Sequence, residues 1–397
     1  MKNPLPASLG GVPVLETEIP MARPTVVSDG PLFESMREIL SSGQMTNGRH
    51  VAAFEREVAD WVGVEHAVAV SNCTTGLLLV LRCLGVSGNV VLPSFTFIAS
   101  GHAVLWNGLA PVFADVRTDS FCLDPDRVDA ALDGDTGAIL SVHTFGAPCD
   151  MEALESLAAA RGVPLVVDAA HGFGARYEDD SRVGTKGIAE VFSLSPTKPF
   201  STGEGGIVTT NDAALARDLR IARNYGNPGS YDSVLLGLNG RLPEIAAAIG
   251  RRSLPHLSGW LDRRVALAER YRSNLGDLPG ISFQQVRDGA KSVYKDLCVL
   301  VEPEQFGLDC SQLEQALAAE NIPSRRYFAP PLHRQSVYRK WASGTADPLK
   351  GTEWLADRAL TLPLYSHMAA DVVDSVCEAV RRVHDHADSL RAVLPPR

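Results

Sequence analysis

The chain has 397 residues, of which 45% are hydrophobic and 21% are charged, and its net charge is −10. This composition is typical of a folded protein with room for two domains and excludes a disordered or fibrous chain, while the negative charge excludes a general nucleic-acid-binding surface. No run of about 18 apolar residues predicts a membrane span and the first residues lack the apolar core of a signal peptide, so we expect a cytoplasmic protein with no membrane or nucleic-acid partner.

Short apolar segments alternate with helix-length segments between residues 66 and 210. Several of them are continuously apolar, which is the pattern of strands covered on both faces of a mostly parallel sheet. The predicted strands are HAVAVS (66–71), VVLP (90–93), PVFADV (111–116), AILSVH (138–143), PLVVD (164–168), VFSL (191–194) and GIVTT (206–210). A sheet of this kind binds ligands at the carboxyl ends of its strands.

Helix signals fill the connections between these strands, for example the N-cap Asp124 followed by a proline. Farther along the chain helical patterns dominate, and the spacing Ser311-x-x-Glu314 predicts a capping box. The sequence therefore predicts a large α/β domain with a mostly parallel seven-stranded sheet over residues 1–255, including an N-terminal arm. A smaller α+β domain is predicted over residues 256–397.

The seven cysteines are scattered along the chain and never form a CxxC pair. An odd number with such spacing argues against a disulfide framework and against a zinc site. We therefore expect reduced thiols that pack in the interior, and no metal site.

Two of the predicted strands end in residues that suit an anion or a cation. After the first strand, Thr74 and Thr75 lie at the start of a helix, where free N–H groups and the helix dipole attract a phosphate. The alternative is an ordinary N-cap.

Asp168 ends the apolar run PLVVD, and a buried carboxylate needs a cationic partner such as a pyridinium nitrogen. The alternative for Asp168 is a helix cap or a loop salt bridge.

A third strand end carries Lys198, between an apolar strand and the glycine-rich turn TGEGG. Most lysines are solvated, but a partly desolvated lysine has a lowered pKa and can form an imine with an aldehyde. Ser193, five positions earlier, can place a hydroxyl on the same phosphate. A phosphate site, a carboxylate for a ring nitrogen and an imine-forming lysine are together what pyridoxal phosphate requires.

The sequence also resembles the DegT/StrS-type aminotransferases, which are fold type I pyridoxal phosphate enzymes acting on nucleotide-linked keto sugars and aminocyclitols. The resemblance spans nearly the whole chain. It is carried by GQMTNGRHVAAFEREVADWVGVEHAVAVSNCTTGL (43–77), LPSFTFIAS (92–100), WNGLAPVFADV (106–116), VVDAAHGFGA (166–175), FSLSPTK with TGEGG (192–206), LNGRLPEIAAAIG (238–250), RYFAPPLH (326–333) and TLPLYS (361–366).

The resemblance implies a role for each of these candidates. Lys198 would bind the cofactor covalently and move the substrate proton, Asp168 would pair with the pyridine nitrogen, and Phe97 would stack on the ring. His171 would contact the ring or its phenolic oxygen. The phosphate would be held by Thr74, Thr75 and Ser193.

Further roles implied by the resemblance concern the neighbouring subunit and the substrate. Asn239 and Arg241 would be lent to the partner's phosphate and substrate site, which implies a homodimer with shared active sites. Gly240, between them, stands where relatives commonly carry a larger residue. Tyr327 and His333 are candidates for substrate contact, although a loop histidine bonded within the protein is the alternative for His333.

The function expected from this resemblance is a pyridoxal phosphate-dependent aminotransferase. It would transfer an amino group from glutamate or glutamine to a nucleotide-linked keto-deoxysugar in amino sugar biosynthesis. Alternatives are an aminotransferase for a keto cyclitol in an antibiotic pathway, a pyridoxal phosphate-dependent sugar dehydratase, and a cofactor-binding regulatory protein without catalysis. Because some relatives that act as dehydratases carry histidine in place of the lysine, Lys198 favours transamination.

Overall fold

The computed structural model describes residues 4–342 and 348–395. The strands are β1 His66–Val70, β2 Asn89–Pro93, β3 Ala110–Ala114, β4 Thr136–Val142, β5 Leu165–Asp168, β6 Ala189–Ser193, β7 Gly206–Thr210, β8 Ile281–Phe283, β9 Leu297–Val301 and β10 Ala359–Leu362. The α-helices are α1 Gly30–Ser42, α2 Arg49–Val62, α3 Cys73–Cys83, α4 Ile98–Trp106, α5 Pro125–Ala131, α6 Met151–Arg161, α7 Ala213–Ala222, α8 Glu244–Ser253, α9 Leu257–Leu275, α10 Pro303–Phe306, α11 Cys310–Ala319, α12 Arg339–Ala342, α13 Lys350–Arg358, α14 Ala370–Asp385 and α15 Ala387–Arg391.

The first seven strands form one sheet, so the prediction of a mostly parallel seven-stranded sheet is confirmed. Their order is β1-β7-β6-β5-β4-β2-β3. The pairs β2–β3, β2–β4, β4–β5 and β5–β6 are parallel, and β7 runs antiparallel to both of its neighbours. The carboxyl ends of β2, β4, β5 and β6 therefore meet at the same edge.

Apolar residues alternate between two cores, one on each face of this sheet. In β1, Ala67 and Ala69 face the core that α2, α5, α6 and α8 cover. Val68 and Val70 face the opposite core, which α3, α4 and α7 cover. Since side chains of a strand point alternately to opposite faces, both sets must be apolar, and this produced the continuous apolar runs in the sequence.

The C-terminal part forms a three-stranded antiparallel sheet in the order β10-β9-β8. Helices α9, α11 and α14 cover it, and the N-terminal side chains Leu9 and Val14 pack against the same core. Helix α9 contributes Leu257 to the core of the large sheet and Tyr271 to the C-terminal core. The predicted boundary at residues 255/256 thus falls just before a helix that joins the two cores, and it stays a proposal.

One helix start differs from its prediction. The N-cap of α11 is Asp309, whose side chain accepts hydrogen bonds from the backbone N–H groups of Ser311 and Gln312. Gln312 in turn accepts from the N–H of Asp309 at 3.1 Å, which completes the capping box. The prediction at Ser311 and Glu314 was wrong by two residues, because aspartate and glutamine satisfy the same donors as serine and glutamate.

Within residues 4–342 and 348–395, no helix is long and apolar enough to cross a bilayer. The same residues contain no group of three or more His, Cys, Asp or Glu side chains placed to hold a metal ion. All seven cysteines are free, and six of them are buried.

Candidate active site

A cavity of about 750 Å³ opens at the carboxyl ends of the central strands. Val142, Asp168 and Ser193, the last residues of β4, β5 and β6, contribute to its wall. This volume suits a small-molecule ligand. The cavity brings together eight of the residues predicted from the sequence: Thr74, Thr75, Phe97, Asp168, His171, Ser193, Lys198 and Tyr327.

Asp168 carries a carboxylate that is only 4% exposed. One oxygen accepts a hydrogen bond from the Ser100 hydroxyl at 2.7 Å, and the other accepts from the Ala170 N–H at 3.1 Å and the Cys73 thiol at 3.7 Å. Burial raises the pKa of Asp168. Among the described residues these hydrogen bonds come from neutral groups, so the carboxylate lacks a directly bonded cation, which a protonated ring nitrogen would supply.

Lys198 lies in the turn after β6, where its N–H donates to the Ser195 carbonyl at 3.0 Å. Its side chain reaches the cavity. Desolvation, assisted by the positive charge of Lys295, lowers the pKa of Lys198 to about 8. The fraction of molecules with a neutral amine near neutral pH is therefore much higher than for an ordinary lysine, and a neutral amine is the form that attacks an aldehyde.

The start of α3 forms one end of the cavity, called the anion-binding end because we expect it to hold a phosphate. The Asn72 side chain caps the helix by accepting from the Thr75 N–H at 2.8 Å. Thr74 and Thr75 occupy the first turn, and the Ser193 hydroxyl lies at the end of β6 on the wall of the same cavity. Hydroxyls and the positive end of a helix dipole are suited to a phosphate group.

Two glycines permit close packing around this helix start. A Cβ atom at Gly206 would lie 2.5 Å from the main-chain carbon of Asn72, and one at Gly240 would lie 2.9 Å from the Thr75 methyl carbon. The carbonyl of Gly240 also accepts from the Ser71 N–H at 2.8 Å. A side chain at position 240 would therefore displace Thr75.

His171 is buried and held as a neutral ring. Its Nδ1 accepts a hydrogen bond from the Phe145 N–H at 3.2 Å, and the two rings stack with 6.2 Å between their centres. Burial lowers the pKa of His171 well below its usual value, and the charges of Lys198 and Lys295 lower it further. Since Nδ1 is an acceptor, the proton lies on Nε2, which can donate to an oxygen atom in the cavity.

Two of the aromatic side chains on the cavity wall were predicted from the sequence. Phe97, which precedes α4, is 54% exposed and presents a ring to the cavity. Tyr327, from the C-terminal part of the chain, also lines the cavity, and burial raises the pKa of its hydroxyl. An exposed ring at the mouth of a cavity is available to stack on a flat ligand.

Asn239 and Arg241 do not line the cavity of their own chain. Asn239 forms a single β-bridge with Asn224. The guanidinium of Arg241 donates to the Asn224 side-chain oxygen at 2.8 Å and lies over the Tyr225 ring, 5.5 Å from its centre. Both residues flank Gly240, and so they lie next to the anion-binding end of the cavity without entering it.

His333 also lies outside this cavity. Its Nδ1 is 2.7 Å from the Ser94 hydroxyl and its Nε2 is 2.7 Å from a Glu353 oxygen. Both ring nitrogens therefore have protein partners, as the alternative reading of this histidine expects. Its contact with a substrate stays a prediction.

Lys295 and Asp296 line the cavity and were missed from the sequence. Each is 7% exposed, and the Lys295 ammonium contacts both oxygens of Asp296 at 2.9 Å. Two adjacent charged residues before the apolar run LCVLV are typical of solvent-exposed positions at the start of a strand. The local sequence therefore does not indicate that these two side chains are buried. Only contacts between distant parts of the chain bring this pair to the cavity.

Comparison with known proteins identifies the family of this chain. The model of the DegT/DnrJ/EryC1/StrS aminotransferase family matches residues 29–381. The chain is 36% identical to a dTDP-3-amino-3,4,6-trideoxy-alpha-D-glucose transaminase of Streptomyces venezuelae, over 88% of this chain and 92% of that protein. It is 29% identical to a dTDP-4-amino-4,6-dideoxy-D-glucose transaminase of Escherichia coli, over 89% and 96%.

Among solved structures, DesI, crystallised in the presence of its TDP-sugar product, superimposes with a TM-score of 0.91. It is 35% identical in sequence, and the match covers 97% of this chain and 98% of that chain. The cavity contains a buried carboxylate, a lysine with a lowered pKa and the start of a helix. The chain therefore belongs to the DegT/DnrJ/EryC1/StrS aminotransferase family, and it is a pyridoxal phosphate-dependent aminotransferase of fold type I.

Proposed function

We propose that the protein transfers an amino group from glutamate or glutamine to the ketone of a nucleotide-linked deoxysugar. The observation that carries this proposal is the similarity, over nearly the full length, to DesI with its TDP-sugar product. The named transaminases from two bacteria, which act on dTDP-linked amino sugars, support the same substrate class.

Different residues of the cavity would have different roles in such a reaction. Pyridoxal phosphate supplies an aldehyde that takes up the amino group and a ring that stabilises negative charge on the reacting carbon. Asp168 would hold the ring nitrogen in its protonated form. Lys198 would hold the cofactor through its side-chain amine, and the same amine would move a proton at the reacting carbon. His171 would donate from Nε2 to an oxygen of the ring, while the first turn of α3 and Ser193 would hold the phosphate.

The proposal includes a homodimer in which Asn239 and Arg241 complete the partner's site. Support comes from their position beside the anion-binding end and outside their own cavity. Large apolar side chains are exposed nearby, namely Phe97 and Trp106 on the cavity wall and Leu236 just before the Asn239 segment. Exposed apolar groups of this size are typical of an interface.

The visible absorbance of the purified holoenzyme tests the function. Glutamate or glutamine is expected to remove the band of the lysine-bound cofactor, and a nucleotide-linked keto sugar is expected to restore it. If only a keto cyclitol restored the band, the amino acceptor would be a cyclitol and not a nucleotide-linked sugar. A band that no amino acid shifts would favour a dehydratase or a binding protein instead.

A further inference from the structure

The Lys295–Asp296 pair occupies the cavity without a role in the steps above. Its ammonium contacts both carboxylate oxygens at 2.9 Å, and both side chains are almost fully buried. Burying two charges costs free energy that their attraction offsets only in good geometry. A pair placed in the wall of an active site, and not in the core, is therefore available to a ligand.

The main chain holds the pair firmly in place. The Lys295 N–H donates to the Phe145 carbonyl at 2.9 Å, and the Lys295 carbonyl accepts from the buried guanidinium of Arg264 at 2.9 Å. The same guanidinium also donates to the Val293 carbonyl at 3.2 Å. The backbone N–H of Phe145 also donates to His171, so the backbone of Phe145 holds both Lys295 and His171 on the same wall of the cavity.

The pair lines the same cavity as Lys198 and His171. The backbone of Phe145 bonds both His171 and Lys295, which places these two side chains on neighbouring parts of the wall. The Lys295 charge lowers the pKa of Lys198 and His171, while Asp296 raises the pKa of Lys198. The Lys295 ammonium also lies 5.7 Å from the centre of the Tyr327 ring. A group bound by Lys295 would therefore be attached at or next to the reacting carbon, and the distant phosphates of a nucleotide sugar would lie elsewhere.

The remaining hydrogen-bonding capacity of the pair selects the kind of group. Two of the three ammonium protons of Lys295 face Asp296, which leaves one donor, and the carboxylate retains free lone pairs. The pair is neutral as a whole, so a carboxylate would meet the repulsion of Asp296. A hydroxyl, in contrast, can accept from Lys295 and donate to Asp296 at the same time.

We propose that Lys295 and Asp296 bind a hydroxyl of the sugar beside its reacting carbon, and so select among nucleotide-linked sugars. This inference rests on the proposed function, because its ligand is the sugar substrate. The amino donor, glutamate or glutamine, presents a carboxylate at the equivalent position and would gain little from the neutral pair.

The test compares two half-reactions of the holoenzyme by visible absorbance. One uses glutamate or glutamine, and the other uses amino sugars as donors in the reverse direction. The probes are dTDP-4-amino-4,6-dideoxy-D-glucose and dTDP-3-amino-3,4,6-trideoxy-alpha-D-glucose, the sugars named in two relatives. Equilibrium binding of dTDP-glucose, measured by calorimetry, adds a readout that needs no turnover.

The variants remove the pair as a unit, so that no buried charge is left alone. For K295M/D296L we expect dTDP-glucose binding and the sugar half-reaction to weaken roughly 10- to 100-fold, as for lost charge-assisted hydrogen bonds. The amino acid half-reaction should change less, because Lys295 lowers the pKa of Lys198 while Asp296 raises it, and these opposing effects are removed together. K295Q/D296N keeps a donor and an acceptor and should retain much of the sugar binding. K291M/D180L removes an exposed pair as the matched control.

Each remaining outcome overturns the inference in a distinct way. Equal losses in both half-reactions would assign the pair to the cofactor or to folding. An unchanged sugar half-reaction in K295M/D296L would exclude any contact with the sugar, while leaving the proposed function intact. If the wild-type protein reacted with the amino acid but with neither amino sugar, and dTDP-glucose did not bind, the proposed function would fail together with the inference.

Discussion

The carboxylate of Asp168 is buried among neutral hydrogen-bond donors. This burial lowers the stability of the folded protein unless a cation binds beside the carboxylate. Because its pKa is raised in the folded chain, its contribution to stability is present at low pH and is lost as the pH rises through the folded pKa. At neutral pH this shift therefore destabilises the protein without cofactor, compared with the stability at low pH. Binding of a protonated ring nitrogen removes this penalty.

We expect opposite effects of Asp168→Asn on the apo and holo forms. The apo variant should be at least as stable as the apo wild type at pH 7, because a buried charge has been removed. The holo variant should lose most of its activity and bind the cofactor at least about tenfold more weakly. Thermal unfolding with and without pyridoxal phosphate measures both effects. An equal loss of stability in the two forms would show that Asp168 is structural.

Lys198 predicts a pH dependence for cofactor attachment. Its pKa of about 8 means that the fraction of reactive neutral amine rises with pH, reaches one half at about pH 8 and levels off at higher pH. Stopped-flow absorbance of apo protein mixed with pyridoxal phosphate should show this midpoint. A midpoint near the usual lysine value of about 10.4 would contradict the burial of the amine.

Borohydride reduction of Lys198→Ala should leave no cofactor attached.

At the level of elements, the packing of α3 against β7 depends on a residue without a side chain. For Gly206→Ala we expect the methyl group to push the start of α3 away, since it would lie 2.5 Å from Asn72. Stability should fall by about 1–3 kcal/mol and phosphate-dependent cofactor affinity should fall with it. Urea unfolding and cofactor titration measure these changes. Gly30→Ala, where a methyl finds open space, is the control.

The strands of the large sheet could be predicted because burial on two faces leaves continuous apolar runs in the sequence. Their ends then located Asp168, Ser193 and Lys198, since parallel strands bring such residues to one edge. The Lys295–Asp296 pair could not be found this way. Its burial depends on Phe145 and Arg264, which are 150 and 31 residues distant in sequence.

At the scale of the whole molecule, the proposed dimer predicts complementation between two inactive proteins. Lys198→Ala should abolish activity through its own chain, and Arg241→Ala should damage the partner's site. When equal amounts are mixed and allowed to exchange subunits, each hybrid dimer regains one intact site, so roughly a quarter of wild-type activity should return. Activity and size-exclusion chromatography measure this. If Arg241 served its own chain, the hybrid would regain no complete site and activity would stay absent.

Phe145 uses its backbone N–H for His171 and its backbone carbonyl for Lys295. Its φ of 57° lies in the left-handed region, where most side chains are disfavoured. Both links belong to the peptide groups, so exchanging the side chain at 145 leaves the atoms of both links in place. Alanine scanning would therefore overlook this connection. Replacing an amide with an ester, one at each peptide bond, would remove the link to His171 and weaken the link to Lys295 separately.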